Sequence, residues 1–94
     1  METAMNRFTN KVVVITGAGN GIGAAAAKRF SSGGATVVAA DYVMDDVKKL
    51  AASLPSDRTF AVFVDVSDAK AVENMIAETV KRCGKLDVMI NNAG

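Results

Sequence analysis

Thr16-Gly17-Ala18-Gly19-Asn20-Gly21-Ile22-Gly23 is the stretch on which the reading of the whole chain turns. Just before it, Lys11-Val12-Val13-Val14-Ile15-Thr16 is β-branched at nearly every position, the pattern of a strand buried on both faces. Just after it, Gly21 through Ser32 is dense in alanine and reads as a helix, ended by Gly33-Gly34. Glycines between a strand and a helix let the main chain turn sharply, approach a pyrophosphate closely and pack the helix on the sheet. The helix N-terminus adds unpaired N–H groups and the positive end of a dipole. Gly17, Gly19, Asn20, Gly21, Ile22 and Gly23 are therefore candidate phosphate-binding residues. The same residues can also be read as a tight turn that holds no ligand.

Outward from this turn, short apolar runs alternate with longer amphipathic ones. Ala35-Thr36-Val37-Val38-Ala39-Ala40 is a second buried strand, ending at Asp41. Met44, Val47, Leu50, Ala51 and Leu54 recur at helical spacing, with Asp45 and Asp46 near the positive end of that helix. Pro55-Ser56-Asp57 breaks it, and Phe60 to Val64 forms a third strand followed by Asp65-Val66. Ser67 is placed to cap the next helix, whose apolar face is Val72, Met75, Ile76, Thr79, Val80 and Cys83. Gly84 stops it, Leu86 to Ile90 is a fourth strand, and Asn91-Asn92-Ala93-Gly94 is the turn beyond. The order β-α-β-α-β-α-β predicts parallel strands and right-handed crossovers, the first half of a Rossmann-type doubly wound α/β sheet. Ligands of such sheets sit at the carboxyl ends of the strands. All four unusual loops fall there: the glycine turn, Asp41-Tyr42, Asp65-Val66 and Asn91 to Gly94.

Composition removes several alternatives. Ninety-four residues make one small domain at most, and 50% hydrophobic with 22% charged is a globular balance. A net charge of +1 and no tryptophan argue against a nucleic-acid partner, which calls for a basic face or stacking aromatics. With no histidine and one cysteine, Cys83, the chain holds neither a disulfide nor a Cys/His metal cage, and histidine acid–base chemistry is excluded for it. Cys83 itself reads as a packed core thiol. Lys48, Lys49, Lys81 and Arg82 read as solvated helix faces. No apolar run approaches a membrane span and the start lacks a signal core, so a soluble, reducing, cytoplasmic setting is expected. A nucleoside-triphosphate P-loop needs a Gly-Lys pair that this turn lacks. An S-adenosylmethionine loop remains an alternative for Gly17-x-Gly19-x-Gly21, although such enzymes usually carry an acid where this chain has Thr16.

Thr16, Gly17, Gly21 and Gly23 at their spacing, with Asp65-Val66 and Asn91-Asn92-Ala93-Gly94 in order behind later strands, resemble the short-chain dehydrogenase/reductase family. The resemblance runs from Lys11 to Gly94 and implies a nicotinamide dinucleotide as cofactor. A carboxylate at Asp41 can accept hydrogen bonds from both ribose hydroxyls of NAD and repel a 2′-phosphate; it could instead merely begin a loop or cap the next helix. Family members that use NADP often place a basic residue where this chain has Asn20, so NAD is expected ahead of NADP. By the same resemblance, the Asp65 side chain bonds the adenine amino group and the Val66 backbone touches the ring. Asp65 could equally be a helix-start carboxylate beside Ser67. Tyr42 lies against the adenine or on open surface. Asn92 contacts the cofactor, Asn91 braces the sheet, and Ala93 and Gly94 leave room for the adenine ribose.

The family's proton transfer uses a tyrosine with a lysine four residues later. Here the only tyrosine is Tyr42, and four residues on stands Asp46. No catalytic residue and no metal ligand is assigned in this chain. The resemblance implies that residues 1–94 are the N-terminal, NAD(P)-binding part of a single domain, cut before its catalytic half and expected to be inactive and marginally stable alone. The full-length enzyme is expected to be a homo-oligomer catalysing reversible hydride transfer between the nicotinamide and a secondary alcohol or ketone. Its pattern looks most like 3-oxoacyl-carrier-protein reductases and sugar or steroid alcohol dehydrogenases. A non-enzymatic NAD(H)-binding redox module is the alternative, ahead of a methyltransferase fragment.

Overall fold

The computed structural model describes residues 7–92. Four strands, β1 (Val12–Thr16), β2 (Thr36–Asp41), β3 (Thr59–Phe63) and β4 (Val88–Asn91), alternate with three helices, α1 (Gly21–Ser32), α2 (Met44–Ala52) and α3 (Ala69–Cys83). A 3-10 turn, Ser56–Arg58, follows Pro55, whose ring cannot continue α2. All strand pairs are parallel, in the order β3-β2-β1-β4. The chain steps outward from β1 to β3 and then returns past β1 to β4. Right-handed crossovers in opposite directions put their helices on opposite faces, and that is what is found.

On one face Val13, Ile15, Val37 and Ala39 pack with Ala27 of α1 and with Val47 and Leu50 of α2. On the other, Val14, Val38 and Ala40 pack with Val64 and Met75 of α3. Every residue of β1 is buried, which explains why its sequence is an unbroken apolar run rather than an alternating one. The register Thr16↔Ala40 and Thr16↔Asn91 brings the glycine turn, Asp41 and Asn91 level with one another at the carboxyl edge.

Three local expectations are revised. The cap of α3 is Asp68, whose Oδ1 accepts from the amides of Lys70 at 3.0 Å and Ala71 at 3.3 Å. Ser67 is drawn away by Asp65, to which both its amide and its hydroxyl donate. The outer half of α3's apolar stripe is not sealed: Val80 is 42% exposed. Met75 and Thr79 seat the helix, while a cavity of about 510 Å³ opens between α3 and the β2–β3 side of the sheet. Cys83 is half-buried in the wall of that cavity and is not sealed in the core.

At the amino edge, Val12 N–H donates to Asp87 Oδ2 at 2.8 Å and Asp87 N–H donates back to the Val12 carbonyl at 2.9 Å. Lys85 Nζ stands 3.1 Å from the same carboxylate oxygen. The Val12 amide and Lys85 hold the Asp87 carboxyl below its ordinary value of 3.8. Phe8 packs against Phe30 with the rings tilted by 47° and their centroids 4.7 Å apart, and presses where a side chain on Gly33 would stand. No helix among the described residues is long and apolar enough to cross a membrane.

Candidate functional site

The glycine turn is built as its residue types require. Gly17 (φ 65°) and Gly21 (φ 60°) occupy the left-handed region that side-chain-bearing residues rarely adopt. A Cβ on Gly23 would run into the Gly17 carbonyl and come within 2.9 Å of Asn92 Nδ2, so its bare α-carbon lets α1 start directly against the end of β1. Ala18 is fully buried, and its amide donates to the Ala40 carbonyl at 3.0 Å, tying the turn to β2.

Helix α1 opens from Asn20, whose backbone is extended and whose side chain makes no cap bond. The first helical bond runs from Ala24 N–H to the Asn20 carbonyl. The amides of Gly21, Ile22 and Gly23 thus have no acceptor among the described residues, and no acid stands in the first turn. An anion is the group that such an opening stabilises, through both direct hydrogen bonds and the helix dipole. Ile22 lies 79% exposed beside these amides.

Asp41 ends β2 next to the turn. Its Oδ2 accepts from Gly19 N–H at 2.8 Å and its Oδ1 from Val43 N–H at 3.2 Å. Both bonds hold one carboxylate orientation, yet each oxygen keeps a further lone pair for a hydroxyl donor. Asp41 does not cap α2, whose N-cap position is Val43 without a side-chain bond; its bond from the Val43 amide, two residues on, does hold the start of the loop before that helix.

A second link crosses to β4. Asn92 N–H donates to Thr16 Oγ1 at 3.0 Å, Thr16 Oγ1 donates to Asn91 Oδ1 at 3.0 Å, and Asn92 Nδ2 donates to the Gly17 carbonyl at 3.3 Å. Asn91 and Asn92 therefore join the glycine turn directly. Ala93 and Gly94 lie outside the described residues.

Asp65 and Val66 sit on the same edge past β3, held there by the bond from Val64 N–H to the Asp41 carbonyl at 3.1 Å. The Ser67 hydroxyl (2.6 Å) and then the Ser67 amide (3.0 Å) stabilise the Asp65 carboxylate and hold its pKa below 3.8. Asp65 is thus built into the loop before α3 through Oδ1, with no bond to Oδ2 among the described residues. The Val66 side chain packs on the α3-side core. Tyr42 is 64% exposed and leans on Phe63, with ring centroids 5.5 Å apart.

Residues 11–94 match the family model of the short chain dehydrogenases. The chain belongs to that family. It is 60% identical over 88 residues to a meso-2,3-butanediol dehydrogenase of Serratia marcescens, covering 94% of this chain and 35% of that protein. It is 44% identical over 87 residues to an NAD-dependent glycerol dehydrogenase of Listeria innocua, covering 93% and 34%. A solved 3-ketoacyl-(acyl-carrier-protein) reductase of Brucella melitensis, complexed with NADH, superposes with a TM-score of 0.87 at 38% identity, over 93% of this chain and 35% of that one. The chain spans about a third of the length of the curated relatives it matches.

Two contributors escaped the sequence reading. The Thr16 hydroxyl, fully buried, couples β1 to the Asn91-Asn92 turn. Its signal was a hydroxyl ending an otherwise aliphatic strand, where burial demands a partner. Asp46 lies against Gly19, since a Cβ on that glycine would stand 2.8 Å from Asp46 Cβ. No sequence pattern marks that approach.

Proposed function

We propose that this chain holds the diphosphate and adenosine of NAD, and that the full-length protein is an NAD-dependent oxidoreductase acting on secondary alcohols and ketones. Residues 1–94 are, in this reading, the dinucleotide-binding part of one larger domain. The observation that carries it is Asp41: a carboxylate held at both oxygens, beside an anion-ready helix start, with no basic residue from Asn20 to Gly23 or from Tyr42 to Asp46. Such a group accepts from ribose hydroxyls and repels a phosphate ester at the 2′ position, which favours NAD over NADP.

The donor set fits the cofactor piece by piece. The open amides of Gly21, Ile22 and Gly23 suit a diphosphate; Gly17 and Gly19 let it come close to the main chain. Asp65 Oδ2 offers an acceptor to the adenine amino group and the Val66 main chain a surface for the ring, with Tyr42 at its outer side. Asn92 lies beside the turn, braced by Asn91 through Thr16; Ala93 and Gly94, outside the described residues, are proposed to leave room for the adenine ribose. Bound here, the nicotinamide dinucleotide supplies or accepts the hydride exchanged with the alcohol or ketone. The residues of this chain bind and orient it, and none is assigned a proton-transfer role.

The family match leaves the methyltransferase and non-enzymatic alternatives without support. Because the 60% identical relative is named for a small vicinal diol, meso-2,3-butanediol is the first substrate to assay. The reading extends to a cytoplasmic, homo-oligomeric enzyme, which fractionation and gel filtration of the full-length protein would check. The deciding test is Asp41→Arg in the full-length protein, with NADH and NADPH dissociation constants measured by fluorescence titration. The affinity ratio is expected to move toward NADPH by on the order of 10- to 100-fold, the worth of one charge-assisted pairing. An unmoved ratio would show that Asp41 does not read the ribose.

A further inference from the structure

We infer that Gly19 sets the cofactor selectivity of this site by keeping vacant the space in which the Asp41 carboxylate lies; the inference rests on the NAD reading of Asp41 given above. Asp41 stands at the end of a strand with two side-chain torsions to fix. Its Oδ2 is fixed by the Gly19 amide at 2.8 Å, and its Oδ1 by the Val43 amide at 3.2 Å. The carboxylate is thus clamped between the glycine turn and the approach to α2.

Why position 19 is a glycine has no conformational answer. The left-handed glycines of the described residues are Gly17, Gly21, Gly34 and Gly84, so an alanine at 19 meets no backbone penalty of that kind. The answer is steric. A Cβ built on Gly19 stands 2.7 Å from Asp41 Oδ2 and 2.8 Å from Asp46 Cβ, both well inside van der Waals contact. These two neighbours yield unequally. Asp46 Cβ is fixed to the backbone of α2, whereas Oδ2 is the free end of a side chain and swings away by rotation about its torsions.

A side chain at position 19 is therefore expected to displace the carboxylate from the orientation proposed to meet a ribose. Gly21, Ile22 and Gly23 touch neither atom that crowds position 19, so once the contact with Asp46 is relieved on the α2 side their amides are expected to stay in place. Diphosphate binding and ribose reading become separable, and the second belongs to the Gly19–Asp41 pair, not to Asp41 alone. Gly19 is here a positioning residue.

The test is a double-mutant cycle in the full-length protein: wild type, Gly19→Ala, Asp41→Ala and the double variant, with NADH and NADPH dissociation constants from fluorescence titration and a thermal melt of each. Gly19→Ala is expected to lower the preference for NADH over NADPH on the order of tenfold. Most of that comes from weaker NADH binding. In the Asp41→Ala background the same change is expected to leave the ratio where Asp41→Ala alone put it. Because crowding against Asp46 could unsettle α2, Gly19→Ala is also made with Asp46→Gly, which frees the helix side but not the carboxylate; the loss of preference should persist. An unchanged ratio in folded Gly19→Ala, or an equal fall in both backgrounds, overturns the inference. If Asp41→Ala itself leaves the ratio unchanged, the NAD reading of Asp41 fails first and takes this inference with it.

Discussion

The two ends of the same four strands are finished in opposite ways. At the amino end, polar groups are spent on one another: the Val12 amide on Asp87, Asp87 also on Lys85, the Phe8 amide on the Gly33 carbonyl, and Arg58 Nη2 on the Ser31 carbonyl. Arg58 Nε is the exception, a buried side-chain nitrogen without a partner among the described residues. At the carboxyl end, three helix amides stay open, Asn20 caps nothing, and Ile22, Tyr42 and Phe63 face outward. The sheet core between them is shared, so the difference is not one of packing. Cross-strand bonds align the strands at both ends, and only at the carboxyl end are helix amides left unspent beside them. Substitutions at the amino end should therefore move stability without moving cofactor preference, and those that disturb the open amides or the Asp41 carboxylate at the carboxyl end should report on the cofactor.

The largest effect is expected where the carboxyl end is also tightly packed. In Gly23→Ala the added methyl meets the Gly17 carbonyl, a backbone atom that cannot rotate aside. The start of α1 must then move off the end of β1, at a cost of about 1–3 kcal/mol for overpacking. NADH binding should fall with it, because the amides of Ile22 and Gly23 move with the helix. Urea melts and NADH titration of the full-length protein read both quantities. A variant that keeps wild-type stability and affinity would mean that the turn has slack this geometry does not contain.

Asp87→Asn probes the other end. Melting temperature should drop while the NADH/NADPH affinity ratio stays put. The pH dependence has a definite sign. Asp87 has a folded-state pKa below its ordinary 3.8, so its contribution is whole above about pH 4 and lost as pH falls through the lowered value. The stability gap between wild type and Asp87→Asn should therefore close on acidification in that window. A gap that widens there, or a shifted cofactor ratio, would erase the distinction between the two ends.

What could be read from the residues alone divides along similar lines. Val12 to Ile15 and Val37 to Ala40 announced a doubly covered parallel sheet because burial on both faces leaves no room for alternation. The glycine turn could be read because its backbone geometry restricts those positions to few residue types, and Asp41 and the Asn91-Asn92 pair come level with it because all three end neighbouring parallel strands. The Asp87–Val12 bond joins residues 75 apart in sequence, and nothing near either one marks it. The gap between Gly19 and Asp46 depends on how α2 is set against the turn, which the residues on either side do not encode. The stripe from Val72 to Cys83 signalled a helix correctly but not its fit, since periodicity carries no information on how far a helix stands off the sheet.

Ser67 should show the smallest effect, and it tests which carboxylate organises the loop before α3. Ser67 and Asp68 are both good cap residues one position apart, so local preference cannot choose between them. Asp65 resolves the choice: it takes the Ser67 hydroxyl and amide, and the cap falls to Asp68. Ser67→Ala then leaves α3 capped and should change stability by less than about 0.5 kcal/mol, the range of an ordinary surface substitution. Loss of the hydroxyl, the larger cause of the depressed Asp65 pKa, should let that pKa rise back toward 3.8 while the Ser67 amide still holds it partly down. At neutral pH the carboxylate is ionised in either case, so NADH affinity should not move there. Carboxyl-carbon NMR titration reads the shift. A stability loss of about 1 kcal/mol would be the mark of a removed N-cap. It would return the cap to Ser67 and leave Asp65 free to face the cofactor with both oxygens.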